Sequence, residues 1–166
     1  MIKASQFSSY TYLELREDES ATGQAVAALF LACLSYGIGF TLFTVQLVLY
    51  SVLVGILANL ILSLLAALVW AITAFLVGTR LFRGKTRFWG LARPLFFSAS
   101  PGILFILIPV PLDFVSRAVA AVVSAWVIIA GVVAVKNAMG FGYDRSLLTY
   151  IVGFLIGIAI AGLFRL

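Results

Sequence analysis

From Gly23 to Val77 the chain carries no charged residue and no proline, and no small water-soluble fold has room for such a segment. A helix crosses the roughly 30 Å hydrocarbon layer with about 20 mostly apolar residues. One helix made from the whole run would be far longer than a membrane is thick, whereas two spans fit. Composition agrees: 64% of the 166 residues are hydrophobic and 10% are charged, against roughly 45–50% and about 25% in soluble domains. A small soluble domain exposes too large a share of its surface to hide that excess. The chain reads as an integral membrane protein, an all-α polytopic bundle.

Five spans are expected, at about 23–46, 50–79, 94–111, 115–135 and 147–164. Residues 1–22 form a polar segment ahead of a transmembrane domain at 23–166. The first turn is placed near Gln46 to Ser51, where Gln46, Tyr50 and Ser51 interrupt the aliphatics. The third run, LFFSASPGILFILIPVP, holds Pro101–Gly102 and is closed by Pro109 and Pro111. Proline removes a backbone donor, and Ser98 and Ser100 stand where hydroxyls can help repair the loss. Asp113 is expected to cap the fourth helix, with Ser116 a turn later and Arg117 in pairing position.

This division sorts the cations. Lys3, Arg16, Arg80, Arg83, Lys85, Arg87, Arg93, Lys136 and Arg145 fall on one side, Arg117 and Arg165 on the other. Lys and Arg collect in cytoplasmic loops, which predicts a cytoplasmic N-terminus and a C-terminus outside. A six-span reading gives a weaker split. The cluster Arg80, Arg83, Lys85, Arg87 and Arg93 is read as a topological anchor, flanked by Phe88 and Trp89 at the aromatic belt. Its alternative role is recognition of anionic lipid headgroups, each juxtamembrane cation adding about 1 kcal/mol near the surface.

Catalytic chemistry finds little support. With no histidine, the commonest general base and metal ligand are missing together. The single cysteine, Cys33, has no partner for a disulfide or a CxxC site. Glu14, Glu17, Asp18 and Glu19 cluster in the polar N-terminal segment, which does not look like a cleavable signal peptide, while Asp113 and Asp144 fall on opposite sides. GFGYD at 140–144 is a short loop, not a phosphate-binding turn. No cofactor, metal or nucleic acid is expected. The basic residues lie between apolar spans rather than on a soluble face.

Ionisable residues at mid-membrane depth betray transporters, and here the intramembrane polar candidates are Gln46, Asn59, Ser98 and Ser100, all uncharged. Asn59 is expected to hydrogen-bond another helix. Gly153, Gly157 and Ala161 place small residues four apart on the last span, a pattern that lets backbones approach closely. Ser63, Ala67 and Ala71 repeat it in the second span, and Ser116, Ala120 and Ser124 in the fourth. Packing within one bundle and homo-oligomerisation through the last span both account for it.

Two uncharged spans fused almost without a turn lead into RLFRGKTRFWGLARPLFFSASPGILFILIPVP, then AWVIIAGVVAVKNAMGFGYDRSLLTYIVG. The first segment resembles the basic loop, amphipathic approach and Ala/Ser-Pro-bearing third span of the Yip (Ypt-interacting protein) family, in its bacterial and archaeal branch. The second resembles that family's fourth span, short polar loop and final span. The resemblance covers about residues 24–164 in layout. It implies five transmembrane helices, a cytosolic N-terminus, and a role in membrane organisation or trafficking exercised through partners, other membrane or membrane-associated proteins, rather than catalysis. For a prokaryotic member it implies the cell membrane. A non-enzymatic scaffold or adaptor is therefore the expected function, with a small oligomeric transporter or channel as the alternative.

Overall fold

A computed structural model describes residues 9–44, 49–110 and 113–163, and among them the secondary structure is entirely helical. A short helix, α1 (Ser9–Glu17), precedes a 3-10 turn at Glu19–Ala21. Five longer elements follow: α2 (Thr22–Thr44), α3 (Leu49–Leu76), α4 (Phe88–Ser98), α5 (Asp113–Met139) and α6 (Tyr143–Leu163). A π-helical turn at Val77–Leu81 extends α3, and a 3-10 segment at Ser100–Leu107 extends α4.

Among the described residues four helical segments are long and apolar enough to cross a membrane: Glu19–Thr44, Leu49–Leu81, Phe88–Leu107 and Asp113–Met139. The 33 residues of the second reach about 50 Å at 1.5 Å per residue, so it tilts or projects beyond the hydrocarbon. Its outward stripe, Leu53, Leu57, Ile61, Leu65, Leu68, Ile72 and Leu76, is exposed at helical spacing, as expected of a face turned to lipid. Helix α2 is described to Thr44 and α3 from Leu49, so Gln46 falls outside the described residues, while Tyr50 and Ser51 belong to α3.

Several expected boundaries shift. The third helix starts at Phe88 rather than 94, with Pro94 inside it. The fourth continues to Met139 and α6 begins at Tyr143. Backbone hydrogen bonds carry a helix beyond its apolar run, so hydropathy marks the hydrocarbon and not the helix end. Gly140, at φ 70°, then stops α5. Its N–H and that of Phe141 both donate to the Lys136 carbonyl, at 2.9 and 3.1 Å, a left-handed cap suited to glycine.

Helix α4 is the centre of the bundle, buried continuously from Gly90 to Ser98 and surrounded by α1, α2, α3 and α5. The core is made largely of small residues, Ala21, Ala25, Ala28, Ala71, Ala74, Ala92, Ala134 and Ala138, filled out by Leu91, Leu95, Phe96 and Phe97. Small side chains let backbones come close, the main packing gain available where lipid and side chain are equally apolar. At Gly39 a Cβ would run into the Phe105 carbonyl, and at Gly37 it would lie 3.1 Å from that of Ile56. Helix α2 is thereby wedged between the 3-10 segment and α3.

The small-residue stripes fare unequally. In α3, Ala71 is fully buried. In α5 the stripe leaves the bundle, with Ser116 buried but Ser124 exposed. In α6, Gly153 faces Ala74, whereas the side-chain surroundings of Gly157 and Ala161 lie outside the described residues.

A candidate interfacial site at the basic end of the bundle

The N-terminal segment is not free in water. Tyr12 is fully buried where α1 packs on α4 and α5, and burial pushes its phenol well above the usual tyrosine range. After α1 the chain turns at Asp18, whose carboxylate accepts from the Ser20 N–H at 2.9 Å and the Ser20 hydroxyl at 2.5 Å. Those two bonds hold its pKa below the usual carboxylate range. The Thr22 hydroxyl donates to the Glu19 carbonyl at 2.8 Å, so the chain enters α2 from a closed turn.

Arg93 binds these pieces together. Its Nε donates to Thr22 Oγ1 at 2.7 Å and its Nη1 to the Arg16 carbonyl at 3.3 Å. One guanidinium thus spans the end of α1 and the start of α2. Arg16 reciprocates from the other direction, its Nη2 donating to the Lys85 carbonyl at 3.1 Å. Gly90 makes room for the arrangement, since a Cβ there would lie 3.6 Å from the Arg16 carbonyl and 2.7 Å from Thr86 Oγ1. Between α1, the loop at 82–87 and the start of α4 is a cleft of about 670 Å³. Arg16, Lys85, Arg87 and Arg93 line it together with Glu17, Glu19 and Trp89.

The five cations of the expected anchor separate into three settings. Arg80 and Arg83 are exposed around the π turn, Arg83 at φ 57°. Lys85 and Arg87 are exposed on the cleft wall. Arg93 is not a loop residue at all: it is only 6% exposed, because the helix that was expected to begin at Pro94 already includes it. From the sequence Arg16 is counted only as a cation of the cytoplasmic side, and Thr22 and Tyr12 are not singled out. The polar N-terminal segment gave no sign of folding back, although a helix-compatible SYTYLELRE followed by an Asp-x-Ser turn is there to be read.

The intramembrane polar residues are drawn into local bonds. Asn59 Nδ2 donates across to Thr41 Oγ1 at 3.1 Å and along its own helix to the Gly55 carbonyl at 3.0 Å. Ser98 donates to the Leu95 carbonyl at 2.6 Å, while Ser100 Oγ, like the Trp70 indole nitrogen, is buried without a partner. The pair was expected to mend the backbone at Pro101, but the chain instead tightens into a 3-10 segment there, with Gly102 N–H donating to the Ala99 carbonyl at 2.8 Å. Ser116 donates to the Val110 carbonyl at 2.9 Å. Asp113, exposed at the head of α5, makes no ion pair with Arg117 among the described residues. An exposed pair of that kind gains little in any case.

Among the described residues no three of His, Cys, Asp and Glu come together as a metal-binding group. What the basic end offers instead is a fixed array of donors and cations beside exposed Trp89. Neither a curated protein nor a solved structure matches the chain. The family resemblance is borne out: the Yip1 domain family model matches residues 8–166, nearly the whole chain, and this protein belongs to the Yip1 domain family.

Proposed function

We propose that the protein is a membrane scaffold or adaptor without catalytic activity. In this reading α6 is a fifth span beside the four helices named above, and the N-terminus and basic end face the cytoplasm. Its partners are anionic lipids and other membrane or trafficking proteins, the latter in keeping with its family. A second copy of the chain is a further partner, through the outer part of α6.

One observation carries the reading. Among the described residues the only buried charged side chain is Arg93, and it belongs to the basic end rather than the middle of the bundle. Buried polar groups elsewhere are mostly turned back on the helices, as with Asn137 on the Val133 carbonyl and Thr149 on the Arg145 carbonyl, at 2.8 and 2.7 Å. An ion or polar solute pathway normally needs intramembrane charge or a wet cavity. The transporter reading draws on Trp70 Nε1 and Ser100 Oγ, the two buried atoms without partners.

Flux measurements on reconstituted vesicles decide between the two. A scaffold gives no ion or solute flux above protein-free vesicles, and cross-linking in native membranes recovers a reproducible protein partner. Saturable flux, abolished by a substitution at Asn59 or Ser100 that leaves the fold intact, overturns the scaffold reading.

A further inference from the structure

The cleft at the basic end combines features that favour an anion. Arg16, Lys85, Arg87 and Arg93 on its walls outnumber Glu17 and Glu19, so the cleft carries excess positive charge. Arg93 matters most. Its two hydrogen-bond partners are a hydroxyl and a carbonyl, both neutral, and Asp18 feels its charge only as the weakest of the influences on that carboxyl. A guanidinium held at 6% exposure with no carboxylate hydrogen-bonded to it is costly to bury. An anion in the adjoining cleft supplies that counter-charge.

The backbone points the same way. Arg87 gives α4 no side-chain cap, and the first bond of the helix runs from Leu91 N–H to the Arg87 carbonyl at 3.2 Å. The N–H groups of Phe88, Trp89 and Gly90 therefore form the open positive end of an 11-residue helix, and all three residues line the cleft. Such an end suits a phosphate. Trp89, 44% exposed, and Leu81, 66% exposed, place apolar surface near the cationic loop, a pairing suited to the zone where headgroup meets acyl chain. A free phosphate uses only the cations, whereas a phospholipid uses both surfaces.

We propose that this cleft binds the phosphate of an anionic glycerophospholipid, with Arg93 and the N-terminus of α4 as its floor and Lys85 and Arg87 as its rim. The inference rests on the lipid-partner reading above, but it is tested in detergent, where no leaflet or flux is involved, so either can fail alone.

The test is lipid retention by the purified full chain in neutral detergent, read by native mass spectrometry with phosphatidylglycerol and phosphatidylcholine offered in equal amounts. Phosphatidylglycerol is expected to be retained preferentially. The double variant Lys85→Gln/Arg87→Gln is expected to weaken that retention about 30-fold, from about 1 kcal/mol per cation. Arg80→Gln/Arg83→Gln removes the same charge outside the cleft and is expected to leave retention within about threefold of the unaltered chain, about half a cation's worth of binding. Equal losses in the two double variants would mean diffuse attraction and overturn the site, as would equal retention of the two lipids. Inorganic phosphate is offered as competitor. Displacement of the lipid only at a large molar excess supports a lipid ligand, and displacement at equimolar phosphate overturns it in favour of a free anion. Arg93→Gln serves as an additional probe in material that melts normally, and the rim variants keep the test decisive where it does not fold.

Discussion

The backbone of Gly153 in α6 lies against that of Ala74 in α3, so close that a Cβ on Gly153 would come within 3.3 Å of the Ala74 nitrogen and Cα. The Thr73 hydroxyl bridges the same crossing by donating to the Gly153 carbonyl at 3.2 Å. One turn away Tyr150 meets the edge of Trp70, ring centroids 4.7 Å apart. This crossing holds the last helix onto the bundle.

Gly153→Leu should therefore force the two helices apart, at the cost of about 1–3 kcal/mol typical of overpacking. A lowered melting temperature in detergent is expected, whereas Gly142→Ala, where a Cβ meets nothing within 4 Å, should melt like the unaltered chain. Equal melting of both variants would show that α6 does not pack on α3 in the membrane.

Asn59 and Thr41 should be energetically coupled across α2 and α3. A double-mutant cycle with Asn59→Leu and Thr41→Val is expected to return about 0.6 kcal/mol, the average for interhelical hydrogen bonds in lipid. Additive effects of the two changes would remove the bond from the account of the bundle.

Arg93→Lys should loosen α1 while preserving charge. A single ammonium lacks the planar fork that lets Arg93 reach Thr22 and the Arg16 carbonyl together. Hydrogen exchange across Ser9–Glu17 is expected to speed up, with α3 and α6 unaffected. Unchanged protection of α1 would mean that burial of Tyr12 alone secures it.

Topology is checked by cysteine accessibility in a Cys33→Ala background. Reagents from one side should reach Ser20→Cys, Thr86→Cys and Asp144→Cys, and from the other Phe114→Cys, which replaces a residue 83% exposed. Labelling of Thr86→Cys and Phe114→Cys from the same side is incompatible with the proposed arrangement.

Asp18 offers a pH test. Its pKa lies below the usual carboxylate range because the ionised form accepts from Ser20. The turn is thus supported above the ordinary aspartate pKa, and that support is lost as pH falls through the lowered value. The Ser20 amide resonance should titrate with a midpoint below that of an unstructured aspartate. A midpoint at the ordinary value would mean that the Asp18–Ser20 bonds do not form.

The membrane class, the helical architecture and the family could be read from the sequence because they depend on long-range averages of polarity, visible from Gly23 to Val77 without any contact being known. Helix ends could not, since Phe88 to Arg93 look like loop by hydropathy yet satisfy their backbone as helix. The same limit hid the cleft. Arg93 was read with its neighbours as surface charge, and only the return of α1 across Gly90 buries it. Asn59 was legible as a polar residue in an apolar helix, but its partner Thr41 depends on the register of two helices.

The loop at 82–87 is stitched down on its inner side. Gly84 N–H donates to the Gly78 carbonyl at 2.8 Å, and the Met139 sulfur is seated against both glycines, where a Cβ on either would evict it. Phe82 meets Phe141 edge-on, ring centroids 6.2 Å apart. The cationic loop after α3 and the short turn after α5, flanked by Lys136 and Arg145 on its two helices, are therefore a single plate. Its positive charges are rooted on a backbone held at fixed intervals, like studs and not bristles on a brush, so this end of the protein presents a pattern as well as a quantity of charge.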